Sequence, residues 1–205
     1  MTTPSNPDVI PDTGFDPIVF WLEHKKQIII YAAILIVAAG AFAFYQVTAQ
    51  RKIAEAEQLF AQASTEDDYR QVAQKYPHTV VAGNATLLLA EKLRDAKKYD
   101  EATAVLHGLI DNYADYPMVD AAWLSLAATL EAQGKPDEAL STYQQIVTTF
   151  PSRSSAPQAM LAQAEILKIK GKTDDARRTY ENVKSQFPDS FYGAEAMQEL
   201  QQLKK

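Results

Sequence analysis

Few side chains in this 205-residue sequence could carry out chemistry, and they are scattered. There is no cysteine, and the three histidines, His24, His78 and His107, lack the His-x-x-x-His spacing of a zinc site. Neither a glycine-rich phosphate loop nor a Gly-x-Ser-x-Gly nucleophile turn occurs. Acidic clusters at 66–68 and 174–175 lie at predicted helix starts, where the helix dipole favours carboxylates without a metal. The sequence therefore predicts a protein that is not an enzyme and that uses no cofactor or metal.

Amino-acid composition and net charge also limit the fold class and the kinds of partner that the sequence predicts. The chain has 20 basic and 26 acidic residues, a net charge of -6, and no basic cluster in its C-terminal part. A nucleic-acid partner therefore has no electrostatic basis. A hydrophobic content of 47% with only 7 glycines favours a helical protein. The lack of cysteine excludes disulfides and thiolate zinc sites, but it does not indicate the cellular compartment of the protein.

One short sequence motif occurs three times in the chain. In the segments 97–102, 134–139 and 171–176, basic, glycine or proline residues come before an acidic pair and an alanine. Glycine or proline ends one helix in two of the copies, and the acidic pair suits the start of the next helix in all three. The closing alanines are 37 residues apart: Ala102, Ala139 and Ala176. A fixed period of this size indicates stacked helical repeats.

Each copy is predicted to be a pair of helices. Small residues with the same period lie in the first helix, where they let the two helices approach closely: Ala90, Ala127 and Ala164. The second helix has an apolar face with i, i+4, i+7 spacing, which begins at Ala102, Ala139 or Ala176 and continues through Leu106, Leu109, Tyr143, Ile146, Tyr180 and Val183. Tyr69 precedes Pro77 by the spacing that separates Tyr143 from Pro151. A degenerate half-repeat is therefore predicted ahead of the first copy, with Thr65 and Asp68 as its capping box.

The second copy resembles a tetratricopeptide (TPR) repeat. Where that family has Trp, Leu, Gly, Tyr, Ala, Phe, Ala and Pro, the copy has Trp123, Leu126, Ala127, Leu130, Ala139, Tyr143, Ile146 and Pro151. The first copy departs from the pattern at Thr86 and Ala114, and the third departs at Gln163. The resemblance implies an all-α fold, a TPR-like α-solenoid of three repeats within residues 49–205. The residues beyond the family's usual period of about 34 are predicted to form a loop at 152–156, and a polar helix at 194–203 is predicted to cap the end.

A long apolar run precedes the repeats. Residues 27–50 contain no charged side chain, and a span of about 20 apolar residues crosses a bilayer. A single transmembrane helix is predicted at 20–48 after a disordered tail at 1–19, with a cleaved signal peptide as the alternative. Two basic residues flank each end of the run, so charge does not set its orientation. The predicted anchor residues are Ile28, Ile34, Val37, Phe42 and Phe44.

The TPR resemblance places a candidate binding surface on the first helices of the pairs. TPR proteins that bind chaperone tails grip a terminal carboxylate with Lys and Asn there, and this clamp is absent. The fifth slot of the repeat holds Leu87, Leu124 and Leu161, and the ninth holds Glu91, Ala128 and Glu165. Leucines beside carboxylates predict an apolar groove for a helix or an unfolded segment. Burial of the leucines between neighbouring repeats is the alternative.

A single anchor followed by a short TPR-like domain resembles the ancillary subunits of the bacterial Sec translocon. The sequence before the span, Phe20 and Trp21 followed by His-Lys-Lys at 24–26, adds to that similarity. The Phe-Pro-Asp-Ser sequence that closes the third copy at 187–190 resembles periplasmic TPR proteins of the cell envelope. The resemblance implies an inner-membrane protein with a cytoplasmic N-terminus and periplasmic repeats. Its partners would be the lipid bilayer, translocon subunits and periplasmic chaperones. A scaffold subunit of a larger envelope or membrane complex is the alternative, and an enzyme with an unrecognised site is a remote third.

Overall fold

The computed structural model describes residues 16–113 and 116–203, which form helices and no strand. This confirms the predicted all-α class. Most of the predicted tail, residues 1–15, and the family departure at Ala114 lie outside the described residues. The helices are α1 (Pro17–Gln62), α2 (Glu66–Lys75), α3 (Val80–Asp95), α4 (Tyr99–Asn112), α5 (Val119–Ala132), α6 (Pro136–Thr149), α7 (Ser155–Ile169), α8 (Thr173–Gln186) and α9 (Phe191–Gln202).

Close contacts divide the chain into a unit that ends at Arg51 and a unit that begins at Lys52. The first unit is the leading part of α1. Its helix begins at Pro17, three residues before the predicted anchor, because proline suits a first helical turn and Asp16 accepts a 2.8 Å hydrogen bond from the Ile18 N–H. The most apolar window has a mean hydropathy of 2.4, and none of it is buried within the protein. By length and composition the helix can cross a membrane, a test that signal sequences also pass.

The second unit contains the helix pairs. The first pair is the end of α1 with α2, where the Phe60 and Tyr69 ring centroids lie 6.0 Å apart. The pairs α3–α4, α5–α6 and α7–α8 follow, and α9 packs against α7 and α8. The first helix of each pair also contacts the first helix of the next, from α3 through α5 and α7 to α9. No such contact joins α4, α6 and α8 among the described residues. The first helices therefore line an inner face, and the second helices lie outside it.

Local signals repeat with the helices. The turns within the pairs α3–α4, α5–α6 and α7–α8 each hold a residue with positive φ, namely Lys97 (59°), Gly134 (80°) and Gly171 (73°). Glycine adopts this backbone conformation without strain. Each second helix ends at an aromatic residue whose N–H donates to the carbonyl four positions earlier: Tyr76, Tyr113, Phe150 and Phe187. The predicted capping box of α2 is confirmed, since Thr65 and Asp68 bond each other's backbone N–H. Backbone hydrogen bonds from Thr65 and Ser64 lower the pKa of Asp68.

Two predicted boundaries were wrong by a few residues. Helix α7 begins at Ser155, within the predicted loop at 152–156. Ser155, Ala156 and Pro157 are buried, and a proline in the first helical turn removes an N–H that has no partner there in any case. Helix α9 begins at Phe191 rather than at 194, because the Ser190 hydroxyl caps it by accepting a 3.1 Å hydrogen bond from the Gly193 N–H. Burial and capping thus lengthen both helices at their N-termini.

Small residues occupy the helix crossings. The alanines predicted to lie between paired helices are all 0% exposed, which confirms the register: Ala90, Ala127, Ala164, Ala102, Ala139 and Ala176. A further set with the same period, which the sequence interpretation missed, is also 0% exposed: Ala85, Ala122, Ala159 and Ala196. The crossings therefore leave no room for larger side chains.

Gln163 is an exception in this core. The repeat pattern has Leu at this position, as Leu126 shows one copy earlier. The Gln163 side chain is only 8% exposed, and its amide nitrogen has no hydrogen-bond partner among the described residues. A buried polar group without a partner costs about 1 to 3 kcal/mol.

Replacing Ala127 with Leu is expected to lower the free energy of unfolding by about 1 to 3 kcal/mol, because the added carbons have no space at the crossing. Thermal unfolding of the full-length protein in detergent micelles, followed by circular dichroism, measures the change. Ala128→Leu is the matched control, since the neighbouring Ala128 is only half-buried. An unchanged midpoint for Ala127→Leu would mean that the repeat register is wrong.

Replacing Gln163 with Leu is expected to stabilise the domain by about 1 to 3 kcal/mol, because the unpaired amide is removed and the volume is nearly kept. The same unfolding measurement applies. The reciprocal change Leu126→Gln, at a side chain that is 1% exposed, should destabilise by at least as much. A lower midpoint for Gln163→Leu would show that the amide has a partner in solution.

Candidate protein-binding site

The three predicted groove leucines lie on successive first helices of the inner face. Leu87, Leu124 and Leu161 belong to α3, α5 and α7, and each is half-buried. Leu87 and Leu124 pack against the central core cluster and Leu161 packs against the C-terminal one. The leucines are thus neither fully open nor fully buried. Part of each side chain supports the core, and part faces solvent.

A first cleft lies between α5 and α7. It has a volume of about 430 Å³ and is lined on the α5 side by Leu124 and Ala121 and on the α7 side by Gln158. Arg153 forms one end, donating hydrogen bonds of 2.6 Å to Asp120 and 2.7 Å to the Pro117 carbonyl. The charges of Arg153 and Asp120 therefore cancel. The rest of the lining combines apolar side chains such as Leu124 with the uncharged polar residues Ser154, Ser155 and Gln158.

A second cleft, of about 350 Å³, lies between α7 and α9. Leu161 and Ala162 form its apolar part, and Glu165, Lys168, Glu195 and Glu199 form its charged part. The Lys168 ammonium lies 2.7 Å from a Glu165 oxygen and 2.8 Å from a Glu199 oxygen. Hydrogen bonds to both glutamates raise the pKa of Lys168. Burial acts to raise the pKa of Glu165, but hydrogen bonds from Lys168 and Tyr180 outweigh it and lower the pKa.

Buried tyrosines connect the core to the carboxylates of the inner face. The Tyr180 hydroxyl, on a side chain that is 1% exposed, donates a 2.9 Å hydrogen bond to Glu165. One repeat earlier the Tyr143 hydroxyl donates a 2.9 Å hydrogen bond to Glu131. Burial and these carboxylates raise the pKa of both phenols, so both remain donors at neutral pH. Each tyrosine therefore holds a carboxylate in place through a hydrogen bond from the core side.

The ninth-slot residues lie in different surroundings. Glu91 is exposed on α3 and Ala128 is half-buried on α5, whereas Glu165 belongs to the second cleft. Sequence reasoning missed Lys168, Glu195 and Glu199. The i, i+3 spacing of Glu165 and Lys168 was an available signal for one ion pair. The contribution of α9 could not be recognised, because it depends on the packing of α9 against α7.

The histidines and the acidic clusters do not come together in the fold of the described residues. His24 lies on α1, His78 stacks on Tyr113 in the loop before α3, and His107 is exposed on α4. No group of three or more His, Cys, Asp or Glu side chains is placed to hold a metal among the described residues. The acidic residues at 66–68 and 174–175 lie in the first turns of α2 and α8, as predicted. The helix dipole accounts for their position.

Comparison with known proteins agrees with this architecture. The sequence matches the family described as "Tetratricopeptide repeat-like domain" over residues 19–204, which includes both the apolar part of α1 and the helix pairs. No curated protein matches the sequence. The family match covers most of the chain, and the described helices pair and stack with the predicted period. The chain therefore belongs to the tetratricopeptide repeat-like domain family.

Proposed function

We propose that this protein is a membrane-anchored module that binds other proteins on the inner face of its repeats, as an ancillary, chaperone-docking subunit of a bacterial translocon. Domains of this family generally mediate protein–protein interactions. The observation that carries the proposal is that Leu124 and Leu161, one repeat apart, line two successive clefts on the same face. A partner helix with apolar residues at i, i+3, i+4 and i+7 can lie across both.

The anchor is supported by the surface of α1. Four of the five predicted anchor residues are largely exposed: Ile34, Val37, Phe42 and Phe44 are 59 to 73% exposed, and Ile28 is half-buried. Keeping such a surface in water costs about 25 cal/mol per Å², which a bilayer removes. The cytoplasmic N-terminus and periplasmic repeats rest on the resemblance to translocon subunits.

A scaffold subunit of a larger envelope complex is the second candidate. It is supported by polar contacts that tie neighbouring repeats at one edge: Glu66 to Lys98, Asp100 to Gln133, and Asp137 to Lys170. Contacts of this kind favour a rigid platform. Affinity capture from gently solubilised membranes separates the two candidates. Translocon subunits and chaperones support the first, and one stoichiometric complex without them supports the second.

The full-length protein is expected to stay with the membrane pellet after alkaline carbonate washing, because an inserted apolar helix does not depend on protein contacts. Protease added to spheroplasts should then remove the repeats and leave a short membrane-bound fragment. Spheroplasts opened with detergent are the control for protease activity. Release of the protein by carbonate would contradict the proposed membrane anchor. Protection of the repeats in intact spheroplasts would contradict their proposed periplasmic location.

Replacing Leu124 with Ala is expected to weaken partner capture by tenfold or more, as loss of an interface anchor commonly does. Its effect on stability should be about 1 kcal/mol, because the side chain is only half-buried. Leu126→Ala, at a position that is 1% exposed, is the control and should cost about 2 to 5 kcal/mol. Equal loss of stability in the two variants, with capture unchanged, would show that Leu124 is a core residue only.

A further inference from the structure

We propose that the inner groove takes an amphipathic segment of a partner protein, and that a lysine or arginine side chain of this segment enters the cleft between α7 and α9. The inference rests on the proposed function, because it names the chemistry of the partner that the groove binds. The occupant is a cationic, amphipathic peptide segment. It is identified by the leucine that lines each cleft, Leu124 and Leu161, and by the negative charge of the cleft between α7 and α9.

The two clefts differ in net charge. In the cleft between α5 and α7, the ion pair of Asp120 and Arg153 leaves no net charge beside Leu124. In the cleft between α7 and α9, three carboxylates face one ammonium group: Glu165, Glu195 and Glu199 against Lys168. Lys168 is the one basic residue among the described residues that line this cleft. Two negative charges therefore remain for a partner to neutralise.

The acceptor oxygens are held in place before any partner arrives. Glu165 is bound by both Lys168 and the buried Tyr180 hydroxyl, and Glu199 is bound by Lys168. A side chain that is already ordered loses less conformational entropy on binding. Glu195, which is exposed, lies at the same cleft and contributes to raising the pKa of Tyr180. Two fixed carboxylates and one accessible carboxylate thus surround the entrance.

The apolar part of the cleft selects the kind of cation. Leu161 and Ala162 lie beside the carboxylates, so a cation that enters must bring an apolar stem as well as a charge. Lysine and arginine have such stems and bury them along apolar surfaces while the charged head stays near water. The three glutamates do not form a group that could hold a metal ion. An organic cation therefore fits the cleft better than a metal does.

The test uses the full-length protein in nanodiscs of phosphatidylcholine, whose zwitterionic surface does not attract basic peptides. Short random peptides displayed on phage are selected on it, after removal of those that bind empty nanodiscs. We expect the enriched peptides to combine apolar residues at helical spacing with at least one Lys or Arg. Replacing that residue with Gln should weaken binding, measured by fluorescence anisotropy, by about five- to tenfold, and added salt should reduce the difference.

Variants of the protein locate the contact. Glu195→Lys should weaken binding of the selected peptides by about tenfold, and Glu195→Gln by less, since repulsion is added only by the first. Glu181→Lys is the matched control, because Glu181 is exposed on α8 away from both clefts, and it should leave affinity within about twofold. Unfolding midpoints of the three variants check that the fold is kept.

The possible failures are distinguishable. Selected peptides that depend on Leu124 but carry no basic residue, or that bind Glu195→Lys as tightly as the parent, would overturn the cation site and leave the proposed groove intact. A selection that yields no peptide sensitive to Leu124→Ala would overturn the groove itself, and the cation site with it.

Discussion

Contact between small side chains at the helix crossings is the constraint on which the rest of the repeat domain depends. Fully buried alanines recur every 37 residues in both helices of a pair, as at Ala127 and Ala139. They let helix backbones approach more closely than larger side chains allow. A second such series, which includes Ala122 and Ala159, lies in the first helices. From α3 onward the first helices of successive pairs contact one another, and the second helices do not contact one another among the described residues. The inner face is a consequence of this difference.

The leucines of the inner face serve both the core and the surface. A fully buried leucine contributes about 1.5 to 3 kcal/mol, and a half-buried one contributes part of that while leaving the remainder available to a partner. Leu124 and Leu161 are in this position. Tyr143 and Tyr180 also serve both, because their rings pack in the core and their hydroxyl groups donate hydrogen bonds to carboxylates at the surface. In the proposed binding surface, stability and partner binding therefore depend on the same residues.

Contacts between neighbours dominate the energetics of a stacked-repeat domain. Turns with positive φ, aromatic helix ends and polar contacts such as Asp100 to Gln133 recur along the stack. Most of these contacts lie at exposed edges and contribute little singly. Their repetition sets the same geometry at each junction, so that clefts on the inner face come one after another. The chemical difference between the clefts comes from a few substitutions, such as Glu195 on α9 where α7 has Gln158.

The sequence by itself determined the class, the period and the pairing of the helices. Alanines, apolar faces and turn residues act locally or between adjacent helices, so the spacing of Ala102, Ala139 and Ala176 was sufficient to predict the register. Helix starts were less certain, because the burial of Ser155 and the capping by Ser190 compete with loop-forming composition. Only the tertiary structure decided how far Leu124 and Leu161 are exposed and which charges they meet. Glu199 of α9 bonds Lys168 of α7 across 31 positions of sequence. That contact depends on the packing of three helices, and no local pattern encodes it.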